Sequence, residues 1–233
     1  MKLKQIILSV FFPERCQICG NIKPFLKPYC PKCGIDTKAI SPLSCPKCSQ
    51  EKCMCHSSAF IELPHFTAVY YYQRQLKKSL HRFKFYHDPS YADVFGKAMA
   101  EKIKELYANA NFDAVCFVPM TKKDETVRGY NQSELLASRV ANELKLPLIP
   151  CLEKQRSSLG QKTLSASDRV KNLKGSFCVK KDVSGKTLIL CDDIKTTGAT
   201  LRECSDILLS AGAKDVYCLC LALTPYIKNS EIF

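Results

Sequence analysis

Residues 187–200 read Thr-Leu-Ile-Leu-Cys-Asp-Asp-Ile-Lys-Thr-Thr-Gly-Ala-Thr. The apolar run 188–191 is typical of a buried strand, and it ends at two adjacent carboxylates, Asp192 and Asp193. A hydroxyl-rich turn with one glycine follows, and residues 200–210 have the pattern of a helix. Ligands of parallel α/β sheets bind beyond the carboxyl ends of the strands, so this stretch predicts both the fold class and the position of the site.

The turn between this strand and this helix is suited to a phosphate group, because its backbone N–H groups and the positive end of the helix dipole favour an anion. Two carboxylates beside the turn would repel a bare phosphate, so the ligand must also carry hydroxyl groups or a bound cation. A ribose 5-phosphate meets both requirements. The alternative is an ordinary strand-to-helix turn capped by Asp and Thr, which leaves the second acid and the additional threonines unexplained.

As one contiguous motif, this stretch resembles the signature of type I phosphoribosyltransferases that binds 5-phosphoribosyl 1-pyrophosphate (PRPP). The resemblance implies that the acid pair holds the ribose 2- and 3-hydroxyls, that the turn wraps the 5-phosphate, and that magnesium accompanies PRPP. The residues it assigns to PRPP are Asp192, Asp193, Lys195, Thr196, Thr197, Gly198, Ala199 and Thr200. Cys191 and Lys195 stand where the family more often has aliphatic residues.

The chain after residue 60 alternates strand and helix patterns, which predicts a parallel sheet flanked by helices. Strands are expected at 66–72 and 114–119, and helices at 74–85, 91–107 and from Asn131 to about 144, with Asn131 and Glu134 as a capping box. Residues 120–130 are expected to form a loop. Arg128 in this loop is the candidate catalytic residue, because its planar guanidinium suits the pyrophosphate that leaves during phosphoribosyl transfer.

Fifteen cysteines are present, and eight of them occur as close pairs near the amino terminus. An odd total and paired spacings indicate bound metal in a reducing compartment rather than a disulfide framework. We expect two structural zinc ions, one per group of four, on Cys16, Cys19, Cys30, Cys33, Cys45, Cys48, Cys53 and Cys55. Interleaved sites, a single occupied site, and His56 in place of Cys55 are alternatives.

Residues 1–60 contain few large apolar side chains, so we expect a zinc-ribbon domain whose folding depends on metal, followed by a phosphoribosyltransferase-like domain at 61–233. Residues 2–11 are expected to form a short amphipathic helix that packs on the body of the protein. Peripheral attachment to the inner membrane is the alternative. The apolar run is too short to span a bilayer.

The formal charge of +13 favours a polyanionic partner. Four thiolates on one zinc dication leave a net charge of about −2, so two such sites keep the chain strongly basic. The helix at 74–85 mixes cations with aromatic residues, which is typical of single-stranded DNA contacts, and its candidate residues are Lys77, Lys78, Arg82 and Lys84. A solvated basic helix face is the alternative.

The chain as a whole resembles ComF-type proteins of bacterial natural transformation. The resemblance is carried by four features in order: the cysteine-rich region, Val118-Pro119, the run Arg-Gly-Tyr-Asn-Gln at 128–132 and the PRPP motif. The resemblance implies a cytoplasmic PRPP-binding protein that handles incoming single-stranded DNA with other competence proteins. It also implies that residues 161–177 close over PRPP and that Met120, Thr121 and Lys122 contact it. Thr121 stands where the family usually has a second proline.

Two other functions are compatible with the same pocket. One is a metabolic phosphoribosyltransferase of nucleotide synthesis or salvage, and the other is a nucleic-acid-binding module that senses PRPP without turnover. The sequence leaves open whether turnover occurs and names no acceptor.

Overall fold

The computed structural model of the chain describes residues 13, 16, 18–19, 21–24, 29–37, 39–57, 60–85, 91–155 and 175–225. These residues form the strands β1 (His65–Tyr71), β2 (Ala114–Phe117), β3 (Leu152–Lys154), β4 (Phe177–Val179), β5 (Thr187–Lys195) and β6 (Asp215–Leu223). The helices are α1 (Pro31–Asp36), α2 (Arg74–Phe85), α3 (Tyr91–Leu106), α4 (Lys122–Arg128), α5 (Gln132–Leu144) and α6 (Ala199–Ser210).

Four of the strands form one parallel sheet in the order β1-β6-β5-β2. All four strands therefore end at the same edge, where β5 delivers its acid pair next to the end of β2. The remaining two strands, β3 and β4, form a separate antiparallel pair. The predicted parallel sheet with flanking helices is confirmed.

The sheet is buried on both faces, as its alternating side chains show. On one face, Ile189 and Cys191 share a core with α2, α3 and α5. On the other face, Leu188 and Leu190 share a core with α6. Continuous apolar runs such as 188–191 are what a parallel strand covered on both sides requires.

The two cysteine groups pack on opposite faces of the edge strand β1. Tyr70 turns to the face of the first group, and its hydroxyl lies 2.7 Å from that of Tyr29. Tyr71 turns to the opposite face, where its hydroxyl accepts a hydrogen bond of 3.0 Å from the N–H of Glu51 in the second group. The domain boundary near residue 60 stays a prediction.

The first cysteine group joins the core of the sheet rather than forming a core of its own. Cys16, Ile18, Cys30 and Cys33 are buried among residues of α2 and α3. The hydroxyl of Ser79 on α2 also donates to the carbonyl of Ile18. This packing supplies the apolar contacts that the small N-terminal region lacks.

Most predicted elements are confirmed to within one or two residues, but the loop expected at 120–130 is wrong. Residues 122–128 form α4 instead, because Thr121 caps its first turn and Gly129 adopts the left-handed conformation that ends it. The expectation that the strand ends before Asp192 is also wrong. β5 continues to Lys195, because β6 pairs with it as far as Leu223.

Two predicted features lie outside the described residues, namely the helix at 2–11 and most of the closing loop at 161–177. Phe177 at the end of that loop begins β4. None of the helices in the described part of the chain is long and apolar enough to cross a membrane.

Candidate functional site

The acid pair lies at the carboxyl edge of the sheet, and Asp192 is held there by two donors. Its Oδ1 atom accepts hydrogen bonds of 2.8 Å from the hydroxyl of Ser133 and of 2.8 Å from the N–H of Asp193. Ser133 is in the first turn of α5, whose N-cap Asn131 donates its side-chain amide to Val118 O at 3.1 Å. The run 131–133 thus joins the end of β2 to the end of β5.

Asp193 has a different partner. Its Oδ2 atom lies 2.6 Å from the ammonium of Lys84, and the two side chains are only 13% and 21% exposed. Burial alone would lower the pKa of Lys84, but the charge and hydrogen bond of Asp193 outweigh burial and raise this pKa above its usual value. Lys84 is therefore a charged group inside the site, although the sequence suggested a nucleic-acid contact for it.

The neighbouring acid affects the charge of Asp192. Burial and the negative charge of Asp193 raise the pKa of Asp192 to about 7, although the hydrogen bonds from Ser133 and from the N–H of Asp193 oppose this increase. Asp192 consequently changes its charge near neutral pH. A second negative charge in this site therefore costs stability.

A small hollow of about 30 Å³ lies between the acid pair and the first turn of α6. Its lining consists of Asp192, Ile194, Lys195, Thr196, Thr197, Gly198, Ala199, Thr200 and Leu201. Gly198 precedes α6 with φ at 93°, a conformation that side chains rarely adopt, and it makes no side-chain cap to the helix. The N–H of Ala199 donates to the Thr197 hydroxyl at 3.3 Å, and the first turn of a helix presents further N–H groups that suit an anion.

Lys195 lies beneath this turn rather than over it. Its side chain is buried, with the ammonium 4.9 Å from the centre of the Phe66 ring. A side chain at Gly198 would approach Lys195 Cε to 2.8 Å. The positive φ therefore favours glycine at 198, and a side chain there would also force the end of Lys195 to shift.

Two other cations lie close enough to the site for their charges to be felt there. Arg128 donates to Gln132 Oε1 at 3.3 Å and lies 5.5 Å from the Phe85 ring, at the end of α2. Lys154, on β3, is close enough to Asp192 and Arg128 for their charges to affect it, although burial is the main cause that lowers its pKa. The site thus collects cations from three separate elements.

The remaining PRPP candidates Met120, Thr121 and Lys122 follow β2 at the same edge of the sheet. The Thr121 hydroxyl is already engaged, because it accepts from the N–H of Asp124 at 3.1 Å and donates to its carboxylate at 2.7 Å. Lys122 is exposed. Their contact with PRPP stays a prediction.

Three of the four nucleic-acid candidates lie on exposed positions of α2, namely Lys77, Lys78 and Arg82. The Lys77 ammonium lies 5.5 Å from the centre of the Tyr72 ring, and Arg82 donates to Cys19 O at 3.2 Å. The helix therefore presents cations outward and inserts its last cation, Lys84, into the site.

The eight paired cysteines form two groups, each with its ligand atoms within 4.8 Å of one another: Cys16, Cys19, Cys30 and Cys33, and Cys45, Cys48, Cys53 and Cys55. These are the sequential groups expected from the spacing, and His56 is not a member of either among the described residues. All eight thiols are free. Four convergent sulfurs suit a tetrahedral zinc ion.

Backbone N–H groups favour the thiolate form in both groups. The N–H of Cys33 lies 3.4 Å from Cys30 Sγ and lowers the pKa of that thiol to about 7, against the effect of burial. Burial would raise the pKa of Cys45, but the N–H groups of Cys48 and Lys47 outweigh it and lower the pKa to about 6. Thiolates are the form that binds metal.

Sequence reasoning missed Ser133 and Lys154, and it placed Lys84 elsewhere. Ser133 immediately follows the run at 128–132, which comes soon after the strand predicted at 114–119. That position in the sequence could have indicated that Ser133 lies near the site. No local pattern reveals that the end of α2 crosses the carboxyl edge of the sheet.

A parallel sheet with an acid pair and a glycine turn before a helix is typical of α/β proteins that bind a phosphorylated sugar or nucleotide. Residues 92–229 match the model of the phosphoribosyl transferase domain, and the chain belongs to this family. That match begins after α2 and therefore does not include Lys84.

Three curated bacterial relatives cover most of the chain. It is 27% identical over 214 residues to "DNA utilization protein YhgH" of Escherichia coli, covering 89% of this chain and 90% of that protein. The identity to "Competence protein ComFC" of Bacillus subtilis is 27%, covering 84% and 78%. "Competence protein F" of Haemophilus influenzae is 28% identical, covering 86% of each. The resemblance to ComF-type proteins is confirmed.

The raised pKa of Asp192 predicts a conflict between stability and ligand binding. Because its pKa is higher in the folded than in the unfolded chain, the charged carboxylate destabilises the fold increasingly as the pH rises toward 7 and above. Asp192→Asn keeps the acceptor oxygen and removes the charge. Its stability advantage should grow between pH 6 and pH 8, by about 1 kcal/mol.

Thermal unfolding of wild type and Asp192→Asn at both pH values measures this difference. Asp206→Asn, at a half-buried position on α6 where the acid pairs with Arg202, is the control and should show no such pH dependence. An Asp192→Asn advantage that shrinks as the pH rises would contradict the raised pKa.

Proposed function

We propose that this chain is a PRPP-binding, phosphoribosyltransferase-like protein of natural transformation that handles incoming single-stranded DNA in the cytoplasm. The observation that best supports PRPP binding is the acid pair beside the hollow at the first turn of α6, within a phosphoribosyl transferase domain. The names of the three relatives support a role in natural transformation or DNA utilization. The net charge of +13 supports single-stranded DNA, a polyanion, as the partner.

In this proposal, each part of PRPP meets groups of matching chemistry. Asp192 and Asp193 accept hydrogen bonds from the ribose 2- and 3-hydroxyls, and the N–H groups of the 196–200 turn bind the 5-phosphate. Arg128 stabilises the pyrophosphate as it leaves C1 with the bonding electrons. Magnesium bound with PRPP would supply further positive charge to the same phosphates.

Turnover itself is tested by pyrophosphate release in the presence of a panel of acceptors, single-stranded DNA included. Release with a nucleobase acceptor would favour the metabolic alternative. PRPP binding without release for any acceptor would favour a sensing role.

The acid pair gives the most direct test of the site. Asp193→Asn should weaken PRPP binding roughly tenfold to a hundredfold, because a ribose hydroxyl loses a charged acceptor in a partly desolvated site. Calorimetric titration with PRPP and magnesium measures the affinity. Asp206→Asn is again the matched control and should bind as wild type does. Wild-type affinity in a folded Asp193→Asn protein would refute the placement of the ribose.

We further propose one structural zinc ion in each cysteine group, so metal analysis should give two zinc ions per chain. Cys30→Ser and Cys48→Ser should each lose one ion and lower the thermal stability, because each group then lacks a ligand. Cys178→Ser, outside both groups, should keep two. Purified reduced protein without tightly bound metal would exclude the sites, and one ion in wild type would exclude double occupancy.

Binding of single-stranded DNA should involve the exposed cations of α2. Affinity should fall steeply with salt, and the double variant Lys77→Glu/Lys78→Glu should bind more weakly with a shallower salt dependence, because fewer counterions are released. Fluorescence anisotropy with a labelled oligonucleotide measures both. Lys97→Glu/Lys104→Glu carries the same charge change on exposed positions of α3. An equal effect of the two double variants would show that net charge, rather than α2, determines binding.

A further inference from the structure

Lys84 stands out because it brings a cation into the site from outside the family domain. It belongs to α2, whereas the domain match begins at residue 92. Its ammonium contacts Asp193 at 2.6 Å. This acid is the same group that the proposed function assigns to a ribose hydroxyl, so lysine and ligand compete for one acceptor.

The end of α2 is firmly fixed at this position. Phe83 is fully buried against the rings of Tyr91 and Phe95 on α3, and the Tyr130 hydroxyl donates to its carbonyl oxygen. The next aromatic residue, Phe85, stacks under Arg128. Lys84 therefore projects from a rigid support, and only its side chain is free to change partner.

The direction from which Lys84 enters identifies the part of the ligand that it can reach. The hollow for the 5-phosphate lies at the start of α6, whose residues pack on one face of the sheet. Lys84 comes from α2, which packs on the opposite face together with α5. If the 5-phosphate lies in the hollow and the ribose hydroxyls contact the acid pair, the C1 atom of the ribose is at the far end of the ligand from the hollow. The substituent on C1 then faces α2 and Arg128. In PRPP, this substituent is the pyrophosphate.

We propose that Lys84 binds the pyrophosphate group of PRPP in exchange for its ion pair with Asp193. This inference rests on the proposed PRPP binding. When the ligand enters, a ribose hydroxyl donates to Asp193 in place of the ammonium, and Lys84 turns to a pyrophosphate oxygen. Before the exchange, Asp193 and Lys84 pair with each other. After it, Asp193 accepts from a ribose hydroxyl and Lys84 contacts a pyrophosphate oxygen. Neither buried charge is left without compensation.

The test compares two ligands that differ only in the pyrophosphate. Wild type and Lys84→Met are titrated by calorimetry with PRPP and with ribose 5-phosphate, both with magnesium. Lys84→Met should weaken PRPP binding at least tenfold, while ribose 5-phosphate binds as well or more tightly, because the competing ammonium is gone. Lys84→Arg should recover part of the PRPP affinity. Lys97→Met, exposed on α3, is the control and should bind both ligands as wild type does.

Three outcomes would overturn the inference. Equal weakening for both ligands would mean that Lys84 only orients Asp193, and unchanged PRPP affinity would mean that it does not contact the ligand. A wild-type protein that binds ribose 5-phosphate as tightly as PRPP would show that no residue of this site uses the pyrophosphate. By contrast, a folded, zinc-loaded wild type that binds neither ligand would refute the proposed function itself, and the assignment of Lys84 would fall with it.

Discussion

The rest of the site depends on two carboxylates that lie side by side at the end of a buried strand. Their mutual repulsion must be compensated, and each acid is stabilised by a different set of groups. Asp192 uses the Ser133 hydroxyl and a backbone N–H, both neutral, whereas Asp193 uses the Lys84 ammonium. Ser133 requires α5 to begin at the end of β2, and Lys84 requires α2 to end over the same edge. The positions of two helices are thus tied to one pair of charges.

This division also explains why the two acids behave differently. A neutral donor satisfies an oxygen without cancelling its charge, so Asp192 remains sensitive to burial and to its neighbour. A cation cancels the charge but occupies the acceptor. One motif therefore carries two unlike carboxylates.

Much of the fold was predictable from the sequence, because its main signals are local. The apolar run before Asp192, the basic helix at 74–85 and the capping residue Asn131 each indicate their element within a short window. The helix α4 was missed because a seven-residue polar segment has little periodicity, although Thr121 and Gly129 are proper end signals. The cysteine grouping followed from spacing alone. The inward direction of Lys84 did not, because it depends on how α2 crosses the sheet, a relation between distant segments that no window contains.

The order of the strands has a consequence for how the chain is made. Among the strands of the described residues, β1 is the first of the sheet to leave the ribosome, yet it pairs in the sheet with β6, which is the last. Throughout synthesis of the intervening residues, β1 exposes unpaired backbone groups, a condition that promotes aggregation. The cysteine groups precede β1 and pack on both of its faces through Tyr70 and Tyr71. A nascent chain that has folded them would already cover the two faces of this strand, and only its edge would wait for β6.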